Sequence, residues 1–198
     1  MPKQLPDPAL KDLRLKKLAL LEQQAELGSI DLYYGDTVCI SEEGYVPYGW
    51  QFRDEKVVIP STHGSWMNCF GILTRDCRFH FQTTQETMTS DFIVSFFDKL
   101  SFEINKLTVV VLDNASVNNS KKMKERMKYW QNRGLYICYL PPYNPHFNII
   151  ERLWKELKMR WLRPEDYKTA DNLFLNTTLA LSAIGKSLRI KFTPFIVT

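Results

Sequence analysis

Residues 107–112 read Leu-Thr-Val-Val-Val-Leu, a largely β-branched run with no polar alternation, and Asp113 follows at once. A strand of that kind has no face suited to water, so it must be covered on both sides. The requirement selects a sheet layered between helices. An acid beside such packing is costly unless a cation compensates it. Glu151 raises the same difficulty: it opens the helix-like run Glu-Arg-Leu-Trp-Lys-Glu-Leu-Lys, just after the turn-forming Leu140-Pro141-Pro142-Tyr143-Asn144-Pro145. A bound divalent metal would compensate both acids and points toward phosphoryl-transfer chemistry.

The rest of the chain supplies the layers. Residues 8–27 form a charged helix with Leu13, Leu20 and Leu27 at seven-residue spacing, ended by Gly28-Ser29. Residues 30–40 follow as a strand in which Leu32, Tyr34, Asp36, Val38 and Ile40 share one face. Asp36 is thus an acid in the middle of an apolar face. Strands at 65–74 and 78–82 are joined as a hairpin. A helix at 91–104 is built on Phe92, Ile93, Phe96, Phe97 and Leu100. A basic helix at 120–133 is closed by Gly134, a strand at 135–140 by Pro141-Pro142, and helices at about 145–162 and 170–184 complete the order. Three hairpin-linked strands followed by strand–helix alternation predict an α/β fold with a mixed five-stranded sheet flanked by helices. The expected division is a helical arm or linker at 1–29, a catalytic domain at 30–165, and a C-terminal helix and tail at 166–198 packing on it.

With 198 residues, 44% of them hydrophobic, the chain suffices for one packed domain and is not disordered. The net charge of +4 is modest, but its distribution is uneven. Between Asp113 and Arg163 eleven Lys/Arg face four acids, so the positive excess surrounds the two suspect carboxylates. A polyanionic substrate requires that; a pair of solvated helix faces would show it too. Cys39, Cys69, Cys77 and Cys138 lack C-x-x-C spacing and the three histidines are scattered, against a structural zinc site and for a reducing compartment. With no signal-like stretch and no run approaching about 18 apolar residues, a soluble cytoplasmic protein without a membrane partner is expected.

On the Glu151 helix, Ile150, Leu153, Trp154, Leu157 and Trp161 fall within one arc of about 100°, the predicted buried face. Glu151 lies outside it, with Lys155, Lys158 and Leu162 around it and Asn148 one turn earlier. A surface Glu151–Lys155 pair is the ordinary alternative. Against it stands the company of Asp36 and Asp113. Three acids from two strands and a helix suffice for two Mg²⁺ ions, with water and phosphate oxygens as the remaining ligands.

Three segments carry a resemblance: Leu32-Tyr33-Tyr34-Gly35-Asp36, Val109-Val110-Val111-Leu112-Asp113-Asn114-Ala115-Ser116, and Leu140-Pro141-Pro142-Tyr143-Asn144-Pro145-His146-Phe147-Asn148-Ile149-Ile150-Glu151-Arg152-Leu153-Trp154-Lys155. Together they resemble the signatures of DDE transposases, most of all the bacterial insertion-sequence branch of the mariner superfamily. Residues 44–50 resemble the glycine- and tryptophan-containing stretch after the first acid. The resemblance implies a ribonuclease-H-like fold in which Asp36, Asp113 and Glu151 bind two Mg²⁺ or Mn²⁺ ions. Water then cleaves double-stranded DNA at the transposon ends, and the freed 3′-hydroxyl attacks target DNA. It also implies a homodimer in the active complex and association with the nucleoid.

Several positions depart from the family pattern. Thr37 stands where Glu often follows the first acid, Asn118 where a His commonly follows the second, and Asn148-Ile149 where Asn-Pro is usual. No proposed metal ligand is lost. The helix-turn-helix region that precedes such domains is expected on an upstream segment or protein, and the chain reads as a second reading frame, an excised domain or a remnant. Lys121, Lys122, Arg152, Lys155 and Lys158 are candidate phosphate contacts, and Asn114 and Asn148 candidate holders of a metal-bound water or phosphate. Trp50 either stacks on a base or packs the core. A structure-specific nuclease and a non-catalytic DNA-binding or dimerisation remnant are the alternatives.

Overall fold

The computed structural model describes residues 8–42, 64–141, 145–193 and 195. The stretch at 44–50, Trp50 and residues 142–144 of the turn before Glu151 lie outside them. Five strands, β1 (Asp31–Ser41), β2 (Trp66–Leu73), β3 (Phe79–Thr84), β4 (Thr108–Leu112) and β5 (Leu135–Tyr139), form one sheet in the order β3-β2-β1-β4-β5. β1, β2 and β3 are antiparallel neighbours, whereas β4 runs parallel to both β1 and β5. This is the expected mixed five-stranded sheet. Every residue of β4 is buried, as its unbroken apolar run requires.

Helices α1 (Pro8–Glu26), α2 (Ser90–Glu103), α3 (Lys121–Gln131), α4 (Ile150–Glu156) and α5 (Ala170–Ala183) cover the two faces. Local chemistry sets their ends. Thr89 and Ser120 accept the first free amides of α2 and α3, while Gly28 and Gly134, at φ 72° and 86°, end α1 and α3 where a side chain would be strained.

One face of the sheet holds Tyr33, Phe70, Ile72, Val110 and Leu112 against α2 and α3. The opposite face carries two separate clusters. Leu32, Tyr34, Val109 and Val111 pack with Leu18 of α1, and Val38, Ile40, Met67 and Cys69 pack with Ile150, Leu153 and Trp154 of α4 and Leu173 of α5. β1 therefore lies under α1 for its first half and under α4 for its second.

α1 docks through Leu15, Leu18 and Glu22, and its leucines at seven-residue spacing point outward. Glu22 is buried, accepts from the Tyr34 hydroxyl, and grips Arg75 at 2.7–2.9 Å. The Arg75 Nη1 also donates to the Thr193 carbonyl at 2.8 Å, so one guanidinium ties the first helix to the C-terminal tail. Arg14 reaches the Leu140 carbonyl at 2.9 Å.

The helix expected to run from 145 to 162 is instead three pieces. A 3-10 turn (Pro145–Phe147) leads into α4, which passes into a π-helical turn (Leu157–Trp161) closed by Leu162 N–H donating to the Leu157 carbonyl at 3.0 Å. Each π residue turns the chain by less than the ~100° of an α residue. Leu162, placed beside Glu151 by α-helical spacing, is thereby rotated into the core, and Trp161 is left only partly buried.

Candidate active site

Asp36 and Asp113 occupy neighbouring parallel strands. Tyr34 pairs with Val111, and two further residues along each strand bring Asp36 level with Asp113. Alternation along β1 points Asp36 to the side of Tyr34 and Val38, where one apolar cluster ends and the other begins. By the same alternation Asp113 belongs with Val109 and Val111. Glu151 stands in the first turn of α4, beside the fully buried Ile150, so the helix presents it to that same break in the packing.

Two glycines lie beside Asp36, one on each face of the sheet. Gly71 faces Asp36 across β1 and β2; a Cβ there would meet Phe79 at 2.7 Å and Trp154 at 3.0 Å. Its absence lets the Trp154 ring settle over the strand. On the opposite side of the sheet a Cβ on Gly35 would stand 2.7 Å from Leu112.

The electrostatics show that the acids sense one another. Burial pushes the Asp36 carboxyl up to about 7; the Thr37 amide opposes the rise, and the Glu151 and Asp113 carboxylates add to it. The Trp154 indole also opposes it, although its buried N–H makes no hydrogen bond of ordinary geometry. Glu151 is raised as well, by burial and then by Asp113, with Lys158 acting the other way. Asp113 is held in place: Asn118 donates to its Oδ1 at 2.6 Å and the Ala115 amide at 3.1 Å.

Among the described residues, no group of three or more His, Cys, Asp and Glu side chains is arranged to hold a metal ion. The expected convergence is thus one of neighbourhood, short of chelation. Mutual repulsion of uncompensated carboxylates favours that separation. The donors still suit a hard divalent cation: three carboxylates, of which Asp36 and Glu151 are raised by burial and by neighbouring acids, with the buried, unpartnered Oδ1 atoms of Asn118 and Asn148 close in sequence to Asp113 and Glu151.

The basic and amide candidates separate into groups. Arg152 and Lys155 line, with Glu151, a cleft of about 610 Å³ whose other wall includes His146, Phe147 and the tail residue Phe195. Lys158 is close enough to act on Glu151. Lys121 and Lys122, on α3 at the other face of the sheet, pair with Glu125 at 3.7 Å and Asp91 at 2.6 Å. Asn114 donates to the Leu140 carbonyl at 2.6 Å and Asn148 to the Gly35 carbonyl at 3.1 Å, so both amides brace the backbone beside an acid. Two further residues join the site: Asn118 on Asp113, and Arg75 in the cleft beside Glu151. Asn118 had a signal, its place five residues after Asp113; Arg75 had none, because its partner Glu22 is 53 residues distant.

A family model described as DDE superfamily endonuclease matches residues 31–174. No curated protein is similar in sequence. Among solved structures, the Mos1 strand transfer complex is similar with a TM-score of 0.55 at 10% identity, over 94% of this chain and 61% of that one. The Mos1 transposase paired-end complex with left transposon end gives 0.52 at 11%, over 92% and 61%. A chain of the simian T-cell lymphotropic virus intasome in complex with PP2A regulatory subunit B56 gamma gives 0.53 at 13%, over 77% and 47%. The chain therefore spans about half to three fifths of the length of those it resembles, and the likeness is one of ribonuclease-H-like fold. The family model covers the strands and helix that carry all three acids, and the chain belongs to the DDE superfamily endonucleases.

Proposed function

We propose that this chain is the catalytic domain of a DNA transposase that cleaves transposon ends and joins them to target DNA, with Asp36, Asp113 and Glu151 as its catalytic carboxylates. One observation carries the proposal. Asp36 and Glu151, one on a strand and one on a helix, are both pushed upward by burial and by the same neighbouring carboxylate, Asp113. Acids gathered in that way are costly unless a cation is shared among them.

Dependence on a divalent metal follows from family membership; Mg²⁺ or Mn²⁺, two ions per site, is the finer assignment proposed. Bound there, the ions would activate the attacking oxygen and neutralise charge on the leaving one. The remaining work falls to the protein. Asn118 fixes the Asp113 carboxylate, and Asn148 fixes the α4 terminus on the strand that carries Asp36. Arg152, Lys155 and Lys158 contact phosphates of double-stranded DNA and set its position without reading sequence. Lys121 and Lys122 contribute from the other face when DNA displaces their present carboxylate partners. The catalytic domain is taken as 30–165, with 1–29 and 166–198 as flanking helical segments. End recognition is assigned to an upstream helix-turn-helix region, and the active complex to a homodimer. No helix among the described residues is long and apolar enough to cross a membrane; a place in the nucleoid fits a DNA substrate.

Supercoiled plasmid with Mn²⁺ or Mg²⁺ tests the proposal. Nicking by the wild type, and its loss in Asp36→Ala, Asp113→Ala and Glu151→Ala, is expected. Pre-cleaved ends joined to a target separate a transposase from a nuclease that only cuts. DNA binding without cleavage, unchanged by Asp113→Asn, is the result that overturns the proposal in favour of a non-catalytic remnant.

A further inference from the structure

Among the described residues, four buried side-chain polar atoms have no hydrogen-bond partner, and three of them stand around the acids: the Oδ1 atoms of Asn118 and Asn148 and the Nε1 of Trp154. The two asparagines use their other amide atom as a brace, but the indole has a single N–H and no acceptor for it. Trp154 is 4% exposed and lies in one cluster with Val38, Cys69, Leu153 and Leu157. Phe79 meets the ring edge-on, at 6.1 Å between centroids. A buried N–H without an acceptor is destabilising, and phenylalanine would fill an apolar face without that penalty. Trp130, buried on the other face of the sheet, donates to the Asp98 Oδ1 at 2.7 Å, as a buried indole normally does.

The place of the ring identifies the missing acceptor. Asp36 and Gly71 are directly opposite across β1 and β2. Side chains so paired share a face, about 4.5–5.5 Å apart at Cβ. Gly71 leaves its half of that space open, and the Trp154 ring occupies it, with Cη2 3.0 Å from where a Cβ would stand. The indole thus lies beside the Asp36 carboxyl, close enough to favour its ionised form without a hydrogen bond of ordinary geometry. We propose that Trp154 is a positioning residue, whose indole N–H takes one Asp36 oxygen and turns the other toward the cation shared by the three acids. The assignment rests on the reading of Asp36, Asp113 and Glu151 as a metal site. A carboxylate that holds a cation needs a second partner to fix its direction. Asn118 does this for Asp113, and Trp154 does it for Asp36. With a cation bound, Asp36 carries its charge, and the N–H···O contact tightens as a charge-assisted bond. Trp154 stands one turn beyond Glu151, so the helix that brings the third acid also fixes the first.

Titration of the chain with Mn²⁺, followed by the electron paramagnetic resonance of the free ion, tests the assignment without any DNA reaction. Trp154→Phe keeps an aromatic ring and loses the N–H, and its Mn²⁺ affinity is expected to fall by about 10–100-fold. Trp130→Phe loses an indole donor on the other face of the sheet and is expected to bind Mn²⁺ as wild type does, even where its melting temperature falls. Nuclear magnetic resonance of the isotope-labelled wild type supplies a second readout. The Trp154 indole proton, identified by its disappearance in Trp154→Phe, is expected to move downfield on addition of Mg²⁺ while that of Trp130 stays in place. Wild-type affinity in Trp154→Phe, or an equal loss in Trp130→Phe, overturns the inference and leaves the metal site standing. So does a Trp154 indole proton that stays in place while Mg²⁺ binds. A wild type that binds no Mn²⁺ overturns both this inference and the reading on which it rests.

Discussion

The Asn148 side-chain amide donates to the Gly35 carbonyl at 3.1 Å, tying the start of the helix that carries Glu151 to the strand residue just before Asp36. Asn148 is buried, and its Oδ1 has no partner. The bond sets how far the third acid stands from the first. Asn148→Leu should cost about 1–3 kcal/mol of stability, since it leaves the Gly35 carbonyl unsatisfied. The loss of nicking should be larger than thermal melting alone predicts. Equal nicking per folded molecule in variant and wild type would show that the bond serves stability only.

Asp36 makes the metal-free protein sensitive to pH. Its folded value, about 7, lies above the 3.8 of the free side chain. Ionisation is therefore resisted by the fold: stability is full below about 4 and falls as pH rises through about 7. The loss reaches at most about 4 kcal/mol. Asp36→Asn should be less stable relative to wild type at pH 4 than at pH 8, and the more stable of the two at pH 8 without metal. Urea titrations at both values check the sign; a wild-type advantage unchanged between them would contradict it.

Gly35 has no room for a side chain. Alanine there drives its Cβ to 2.7 Å from Leu112 and 3.0 Å from Ile72, both fully buried. Gly35→Ala should cost about 1–3 kcal/mol through overpacking and displace Asp36 along with it. Chemical denaturation measures the first effect and residual nicking the second.

The Arg75 guanidinium joins Glu22 of α1 to the Thr193 carbonyl. Arg75→Ala strands a carboxylate whose side chain is only 5% exposed, at about 3–5 kcal/mol. Adding Glu22→Leu should recover most of that loss, because the uncompensated charge is then gone. A double variant no better than Arg75→Ala would show that the lost Thr193 contact matters more.

Lys155 lines the cleft beside Glu151. If it meets a phosphate, Lys155→Ala should weaken DNA binding about equally for all sequences. The slope of log affinity against log salt should also fall by about 1. An unchanged slope places Lys155 off the DNA path.

Much of the architecture was written locally. The apolar run of β4 demanded cover on both faces, and Gly28 and Gly134 marked helix ends through backbone freedom. The three acids stood out because each broke an apolar pattern, and their motifs resembled one family. Distance in sequence hid the rest. The Arg75–Glu22 clasp and the Asn148–Gly35 bond depend on which surfaces meet, and no window of sequence records that. Periodicity likewise could not foresee the π-helical turn that carried Leu162 from the side of Glu151 into the core. Nor could it choose between the two leucine sides of α1, because spacing gives a stripe's existence and only packing against the sheet decides which stripe is buried. The chain alone determined which residues must avoid water and which acids needed compensation. The tertiary structure decided their mutual distances, since those follow from contacts between segments far apart along the backbone.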